Sequence, residues 1–450
     1  MLCCISFLFT ACKTKTAVTD VKANYPDWAK NAVIYEVNVR QYTPEGTFKA
    51  FEANLPRLKE LGVDILWFMP IHPIGIVDRK IPKGYKESLG SYYSVKDYKG
   101  VNPEFGTEAD FKALVAKAHE MGFKVLIDWV ANHSSRDNAW ITEHPDWYVK
   151  DSTGEIMTPH DWTDCAKLNY TNKDMRGAMI DAMKYWVSNC DIDGFRCDVA
   201  GEVPVDFWDT ARMELEKVKP MFMLAENEDH PELCKKAFDA NYGWGMHHVM
   251  HKVAQGKDSV NQIVRQIMKV DSILPKTAMQ MNFITNHDEN SWNGTAQEKF
   301  GAGENAFAVL TYTLPGMPLI YSGQEAGLNK RLKFFTKDTI SWSNLELTPF
   351  YKALNKLKHS NEAIENPPYG GTFEKINNSE PKKVLSFLRL KGNVRVLVLL
   401  NLSASPVSFI LNSNVVDESY KDIFNDERII IKKGDPLSLG AWGYRVLETR

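Results

Sequence analysis

Short apolar runs alternate with amphipathic segments along most of the chain after about residue 30. Such a pattern predicts buried strands of a parallel sheet, separated by helices that pack against the sheet. Eight strands are predicted, at residues 33–39, 63–69, 124–130, 192–198, 221–226, 238–242, 279–285 and 318–321. Helices are predicted at residues 47–61, 108–121, 174–189, 204–218, 259–270 and 305–314. The simplest arrangement is an α/β fold in which eight strand–helix units close a TIM barrel, and the sixth strand has the weakest pattern.

Two stretches depart from this rhythm. Residues 132–169 separate a strand from its helix without any periodic pattern, which indicates a functional loop or a small inserted domain. After Pro367-Pro368, alternating strands at 383–390, 394–401, 407–411 and 443–448 indicate a C-terminal antiparallel β-sandwich. The predicted organisation is a signal or anchor with a linker (1–24), the barrel's first part (25–132), an inserted domain (133–169), the barrel's second part (170–366) and the sandwich (367–450).

Composition and charge narrow the function classes. The chain has 450 residues, of which 44% are hydrophobic and 25% charged, as in ordinary globular proteins. Its 54 Lys and Arg residues against 57 Asp and Glu give a net charge of -3, so there is no overall basic field to attract nucleic acid. Aromatic residues reach 11%, which suits stacking against flat, uncharged ligands. The sequence has no glycine-rich nucleotide-binding loop, so we expect no organic cofactor.

The first residues predict export. Residues 1–11 are apolar and too few to span a bilayer, and Phe9-Thr10-Ala11-Cys12 resembles the box at which bacterial lipoproteins are cleaved and acylated. We therefore expect a periplasmic, outer-membrane or cell-surface lipoprotein, anchored by lipid on Cys12. The box is imperfect, because Phe9 stands where Leu is usual and no Lys or Arg precedes the apolar run, and the alternatives are a plain signal peptide or a frayed tail. The other cysteines lack metal-type spacing, and those of the body (Cys165, Cys190, Cys197 and Cys234) are expected to be small buried residues.

The reacting groups of a TIM barrel lie at the carboxyl ends of its strands. In this chain those ends carry four carboxylates, an arginine and two histidines: Asp128, His133, Arg196, Asp198, Glu226, His287 and Asp288. Bringing four carboxylates to one barrel mouth is costly in repulsion and desolvation. A functional pocket explains that cost better than a purely structural role does.

The spacing of these residues suggests their chemistry. Arg196 and Asp198 are two apart on a strand and point to the same side, so the guanidinium is expected to hold that carboxylate ionised, as a nucleophile requires. Glu226 follows the apolar run 221–225, where desolvation is expected to raise its pKa and preserve a proton for donation. One anionic and one protonated carboxylate divide the work as in a glycosidase, and a separation of ~5 Å would make it retaining.

Four short motifs carry a family resemblance. They are Asp128-Trp-Val-Ala-Asn132-His133, Gly194-Phe-Arg196-Cys-Asp198, Leu224-Ala-Glu226 and Asn286-His287-Asp288. In this order, at the ends of barrel strands, they resemble the four short regions of the α-amylase family of glycoside hydrolases. The resemblance spans roughly residues 30–360. It implies a barrel with a small inserted domain and a C-terminal β-sandwich, and hydrolysis of α-1,4-glucosidic bonds in starch, maltodextrins or related α-glucans.

The resemblance also implies roles for individual residues. Asp198 would be the nucleophile, Glu226 the general acid and base, and Asp288 a third carboxylate that grips sugar hydroxyls. The residues implied to bind or organise the same sugar are Tyr93, which would stack under it, Asp128, His133, Arg196 and His287. Asn132 matches a position that binds calcium in many members, so calcium is a possible cofactor.

Some features depart from the family's pattern and leave specificity open. Many members have Lys-His shortly after the nucleophile, whereas Asp198 is followed here by Val199-Ala200-Gly201-Glu202. This pattern is closer to cyclomaltodextrinases and neopullulanases, and an α-glucosidase or a glucanotransferase would use the same machinery. A non-catalytic sugar-binding relative is a further alternative, which the presence of all three carboxylates disfavours.

Three weaker patterns have competing interpretations. His247, His248 and His251 could suggest a metal site, but without a third ligand at suitable spacing a solvated or cleft-edge helix is the better interpretation. Trp162 could line the cleft or fill the core of the inserted domain. The charged run 330–337 is expected to be a solvated surface loop.

Overall fold

The computed structural model describes residues 23–413 and 418–449. The predicted signal and Cys12 lie outside the described residues. Ten strands precede the C-terminal domain: β1 (Ile34–Val37), β2 (Ile65–Phe68), β3 (Lys124–Trp129), β4 (His133–Ser135), β5 (Cys165–Lys167), β6 (Gly194–Cys197), β7 (Phe222–Ala225), β8 (Ala240–Tyr242), β9 (Met279–Asn282) and β10 (Met317–Tyr321). Within the described residues, eight of them close a parallel barrel in the order β1-β2-β3-β6-β7-β8-β9-β10. The predicted barrel is confirmed, including its weak sixth strand, which is β8.

Twelve α-helices are present in the described part of the chain. They are α1 (Val39–Tyr42), α2 (Phe48–Glu52), α3 (Leu55–Leu61), α4 (Glu108–Glu120), α5 (Trp140–Glu143), α6 (Lys173–Cys190), α7 (Val205–Glu216), α8 (Trp244–Ala254), α9 (Asn261–Ile273), α10 (Ala296–Phe300), α11 (Glu304–Thr313) and α12 (Thr348–Ser360). Short 3-10 turns lie at Asp27–Ala29, Pro145–Trp147, Ala200–Glu202, Pro231–Lys235, Gly301–Gly303, Gln324–Ala326 and Glu362–Ile364, and a π-helical turn at Glu289–Asn293.

The predicted helix at 47–61 is wrong in one respect, because the structure divides it into α2 and α3. Pro56 lies in the first turn of α3, where its missing N–H and fixed φ favour the start of a helix rather than its interior. The prediction for 47–61 missed this break. Among the longer helices, α12 was not predicted, and α8 was predicted only as the helix that carries His247, His248 and His251.

Two long connections form much of the rim above the barrel. The one after β3 was predicted and contains the antiparallel pair β4–β5. The other, residues 69–107 after β2, was not predicted. The two are joined directly, since the Ser135 amide donates to Val95 O at 2.8 Å and the Ser94 hydroxyl donates to Asp164 O at 3.0 Å. They therefore form one continuous wall on this side of the mouth.

The C-terminal domain contains β11 (Thr372–Lys375), β12 (Val384–Lys391), β13 (Val394–Asn401), β14 (Val407–Ile410), β15 (Glu418–Asp422), β16 (Arg428–Ile431), β17 (Pro436–Leu439) and β18 (Tyr444–Glu448). A six-stranded sheet has the order β11-β12-β13-β18-β15-β16, and β14 pairs with β17. All these pairs are antiparallel, as predicted. Phe409 of β14 and Leu439 of β17 share an apolar core with Leu388 and Leu397 of the larger sheet.

Two further observations concern the whole described chain. Cys165, Cys190, Cys197 and Cys234 are buried and unpaired, as predicted. Among residues 23–413 and 418–449, no helix has both the length and the apolar character needed to cross a bilayer.

Candidate active site

A single guanidinium organises the barrel mouth. Arg196 lies on β6 with its side chain fully buried, and its Nη1 donates to Asp128 Oδ1 at 2.8 Å and to Asp198 Oδ1 at 3.0 Å. Its Nη2 lies 3.0 Å from Glu226 Oε2, and its Nε donates to the Tyr242 hydroxyl at 3.1 Å. Three of the predicted carboxylates therefore meet around one cation.

Strand register explains this meeting. Asp128 of β3 pairs with Arg196 of β6, and Arg196 pairs with Leu224 of β7, two residues before Glu226. The strands approach closely at Gly194, where a Cβ atom would lie 1.9 Å from the carbonyl oxygen of Phe222. Only glycine fits that approach, so the first residue of β6 helps to set the spacing of the acidic groups further along the strands.

A second group of contacts links Asp288 to the first. The Tyr93 hydroxyl lies 2.6 Å from His287 Nε2 and donates to Asp128 Oδ2 at 3.1 Å. His287 Nδ1 lies 2.5 Å from Glu36 Oε1, and its Nε2 lies 3.4 Å from Asp288 Oδ2. The side chain of Asp288 is 35% exposed, so this carboxylate faces the mouth. The structure thus brings the predicted Tyr93, His287 and Asp288 to the Arg196 cluster.

The charges of these groups depend on burial. Burial lowers the pKa of His287, but Asp288 and Glu36 outweigh it and raise that pKa to about 9. Burial lowers the pKa of His133 to about 3, with nothing comparable to oppose it. His287 is therefore a cation at neutral pH and His133 is neutral.

The pKa values of the carboxyl groups differ from what the spacing of the residues along the sequence suggested. Burial, followed by the charge of Glu226, raises the pKa of Asp198 well above its usual range, although Arg196 acts to lower it. Burial also raises the pKa of Asp128 to about 6. Arg196 does contact Asp198, as expected, but one guanidinium is shared among three buried carboxyls, so it offsets only part of the effect of burial on the pKa of Asp198. At neutral pH the cluster retains a proton more readily than isolated carboxyls would.

The inserted segment lies beside this cluster. His133 is buried, and its Nε2 is closed off from solvent within the described part of the chain. The half-buried Trp162 has its ring 5.2 Å from that of His133 and 4.8 Å from that of His160. Trp162 therefore lies next to the mouth.

The contacts of Asn132 among the described residues do not assemble a set of calcium ligands. Calcium requires six or more oxygen ligands, whereas the Asn132 amide donates to Glu202 Oε2 at 3.2 Å, and Glu202 also bonds to His160. Across the described ranges, no group of three or more His, Cys, Asp or Glu side chains could hold a metal. Calcium binding at Asn132 stays a prediction that this arrangement does not support.

For His247, the solvated alternative of the predicted solvated or cleft-edge helix is wrong. This residue is buried, stacks on Phe283 and lies 3.1 Å from Glu289 Oε2, so it belongs to the support beneath the segment after Asp288. Burial lowers the pKa of His247 to about 3. His248 is exposed, as expected.

Sequence reasoning missed Glu36 and Tyr242. Glu36 was a detectable anomaly, because a carboxylate in the middle of the apolar run 33–39 has to find a buried partner. Tyr242 ends the weakest strand of the pattern. The charged run 330–337 is only partly a solvated loop, because Leu332 is buried and the Lys337 ammonium donates to Thr43 O at 2.7 Å.

Comparisons with known proteins agree with this geometry. The family model for the alpha-amylase catalytic domain matches residues 22–164 and 143–364, and that for the maltogenic amylase C-terminal domain matches residues 373–446. The crystal structure of a noncanonic maltogenic alpha-amylase, AmyB from Thermotoga neapolitana, is similar with a TM-score of 0.84 and 31% identity, covering 94% of this chain and 99% of that one.

Two curated relatives are more distant in sequence. Alpha-amylase MalA of Haloarcula japonica is 28% identical over 404 residues, which cover 85% of this chain and 57% of MalA. The chain thus spans little more than half the length of that relative. The maltogenic alpha-amylase of Bacillus acidopullulyticus is 24% identical over 473 residues, covering 94% of this chain and 78% of that protein.

The contacts of His287 generate a prediction about pH. The pKa of His287 in the folded protein, about 9, lies above the ordinary 6.5. Its charge therefore stabilises the fold fully below pH 6.5, and that stabilisation is lost as pH rises through about 9. Glu36→Gln removes one of the two negative charges that raise the pKa of His287, so the midpoint of the His287 titration should fall by at least about one pH unit. NMR titration of the imidazole measures both midpoints.

His133 is the internal control for that titration, since with a pKa of about 3 it stays neutral throughout this pH range in both proteins. A wild-type His287 midpoint near 6.5, or the same midpoint in Glu36→Gln, would show that these carboxylates do not hold the imidazolium.

Proposed function

The chain belongs to the α-amylase family of glycoside hydrolases, and from this we propose that it is a retaining α-glucan hydrolase. The proposed reaction is cleavage of α-1,4-glucosidic bonds in starch, maltodextrins or related α-glucans. The observation that carries the proposal is that Asp198 and Glu226 contact the two terminal nitrogens of one buried guanidinium, with Asp288 linked to them through His287 and Tyr93. A nucleophile and a proton donor on neighbouring strands match double displacement.

In the first step the Asp198 carboxylate attacks the anomeric carbon while Glu226 donates its proton to the glycosidic oxygen. The bond from the anomeric carbon to that oxygen breaks, the leaving glucan departs with a hydroxyl, and the sugar is held as an ester of Asp198. In the second step Glu226, now a carboxylate, takes a proton from water. The water oxygen bonds to the anomeric carbon and the ester bond breaks, which restores both side chains and the α configuration.

This mechanism needs a proton on one of the two carboxyl groups, and the crowding of the acidic side chains is consistent with its being retained. Because Asp198 and Glu226 contact the same guanidinium, moving one proton from the first carboxyl to the second leaves the total charge beside Arg196 unchanged. The form with the proton on Glu226 and the charge on Asp198 is the productive one. Burial keeps a proton in the cluster, and Arg196 stabilises the remaining charge.

The other residues would bind and orient the reacting sugar. The carboxylate of Asp288 faces the mouth with the buried, cationic His287 beside it, which suits acceptance of hydrogen bonds from sugar hydroxyls by Asp288. Neutral His133 lies against the ring of Trp162, and the half-buried ring of Tyr93 would stack on the sugar, as the family resemblance implies. Holding the sugar in this way lowers the entropy cost of reaching the transition state.

Substitutions of Asp198 and Glu226 should lower activity with different dependences on the leaving group of the substrate. Asp198→Asn should lower kcat/KM by about 10³-fold or more on every α-glucan substrate, because the covalent step is lost. Glu226→Gln should lower it similarly on maltodextrins, but much less for the first step with an α-glucosyl fluoride, whose leaving group needs no proton. Initial rates measured for both substrate types separate the two roles.

The outcome against the proposal is that wild type, Asp198→Asn and Glu226→Gln behave alike on α-glucans. That result would favour a sugar-binding protein without turnover, the alternative from a different functional class.

The reaction type within the family requires its own measurement. The alternatives are a cyclomaltodextrinase or neopullulanase, an α-glucosidase and a glucanotransferase. They differ from an α-amylase in which chains enter the site and which acceptor reaches the ester. The Val199-Ala200-Gly201-Glu202 sequence favours a cyclomaltodextrinase or neopullulanase. Products from starch, maltotriose and cyclodextrin should show a steady rise in reducing ends, with maltose as the product to follow. Longer chains without new reducing ends would instead assign the protein as a transferase.

We also propose that the protein is exported and anchored by lipid on Cys12, on the basis of the apolar run and the box that precedes this residue. Expressed in a bacterial host with radiolabelled palmitate, the full chain should be labelled and found in the membrane fraction. Cys12→Ser should lose both properties, whereas Cys4→Ser, a matched control in the same segment, should keep both. Label in Cys12→Ser, or none in the wild type, would contradict the anchor.

A further inference from the structure

Four aromatic rings form a row from the carboxylate cluster to the protein surface. The rings of His287 and Tyr93 are nearly parallel with centroids 5.5 Å apart, and Tyr93 is nearly parallel to Phe334 with centroids 6.3 Å apart. Phe334 in turn lies 5.0 Å from Trp292. Exposure increases along the row, from the buried His287 to Trp292, which is 49% exposed. The row thus runs from the reacting centre to the half-exposed indole of Trp292.

Trp292 is held in its exposed position by its own segment. It lies in the π-helical turn Glu289–Asn293 that follows Asp288, and such turns occur frequently at functional sites. Glu289 anchors the turn from below, in contact with Lys299 and with His247 at 3.1 Å. The turn that carries the exposed ring of Trp292 is therefore fixed from beneath by the buried contacts of Glu289.

The neighbouring side chain of Asn290 fixes the same turn from the other side. Its amide donates to Lys330 O at 3.0 Å, and its carbonyl oxygen accepts from the Leu332 amide at 2.8 Å. These bonds tie the turn to the loop that carries Phe334. The two rings at the outer end of the row are therefore held at a fixed spacing.

The backbone beside Phe334 is bound to the connection after β2. The Arg40 guanidinium donates to Phe334 O at 3.1 Å, and the Leu89 amide donates to Phe335 O at 2.8 Å. Tyr93 belongs to the same connection. Three loops from three different strands therefore hold the row, and a rigid row can bind a ligand without first being ordered.

The position of the row relative to Glu226 indicates which part of a substrate would reach it. Glu226 follows β7, which lies opposite β1 in the closed barrel, whereas the row is built on the loops after β2, β9 and β10, around β1. As the proton donor, Glu226 has to lie beside the leaving group. The row therefore lies on the other side of the reacting sugar, where the non-reducing part of the chain extends.

We propose that Trp292 and Phe334 form a stacking subsite for the glucosyl residues on the non-reducing side of the reacting sugar. The inference deepens the proposed function and rests on it. The apolar C–H face of a glucosyl ring matches an uncharged aromatic surface, and covering the exposed indole removes apolar area from water. The consequence is a preference for substrates with two or more glucosyl residues on this side of the scissile bond.

The test compares 4-nitrophenyl α-glucoside with the α-maltoside and the α-maltotrioside, following nitrophenol release and the sugars formed. Trp292→Ala should lower kcat/KM about tenfold on the two longer substrates and less than about twofold on the glucoside. Trp292→Phe, which keeps a ring, should retain most of the activity. Met268→Ala removes an apolar side chain that is 68% exposed on α9, and should leave all three values unchanged.

An equal loss on all three substrates, or no loss on any, overturns the subsite. Thermal unfolding of each variant separates a folding defect from a lost contact, and if Trp292→Ala does not fold, Trp292→Leu, which also lacks a ring, is compared on the same three substrates.

Binding separates this inference from the proposed function. In a Glu226→Gln background, calorimetric titration with maltohexaose should give about tenfold weaker binding when Trp292→Ala is added. If the wild type cleaves none of the substrates while this difference in binding persists, the proposed hydrolysis fails and the subsite stands. If hydrolysis is seen but binding does not change, the subsite fails alone.

Discussion

The structure of the barrel mouth depends on one buried cation. Arg196 lies among Asp128, Asp198 and Glu226, with the rings of Trp67, Tyr93 and Tyr242 packed within 6 Å of its guanidinium. Buried carboxyls at this spacing repel one another unless a fixed positive charge lies between them, and removal of such a charge is strongly destabilising. The register of β3, β6 and β7 and the close approach at Gly194 both serve to place it.

This constraint also links structure to chemistry. One guanidinium and the imidazolium of His287 face five carboxyl groups, counting Glu36 and Asp288, and burial raises the pKa of three of them, Glu36, Asp128 and Asp198. A proton retained among the acids is what a general acid needs, and an anion stabilised by Arg196 is what a nucleophile needs. The same shortage of positive charge therefore supports both halves of a double displacement.

The sequence predicted well those features that follow from local pattern. All eight barrel strands and the acids at their ends could be found, because an apolar run predicts a buried strand and its polar end predicts the mouth. The raised pKa of Asp198 could not be predicted, because it depends on how many carboxyls share Arg196. That number is known only once the separate strands are placed together. Burial of His247 against Glu289 depends on a contact between distant segments, which the hydrophobic pattern does not show. The break before α3 depends on the preference of proline for the first turn of a helix, which that pattern also leaves out.

The central claim is that Asp198 becomes covalently bonded to the sugar. A 5-fluoro-α-glucosyl fluoride slows the breakdown of such an ester, because the ring fluorine destabilises the positively charged transition state while fluoride remains a good leaving group. After incubation with this reagent, peptide mass spectrometry should find one glycosyl group per chain, attached to Asp198. A label on another residue, or turnover of the reagent with inversion and no label, would contradict the account.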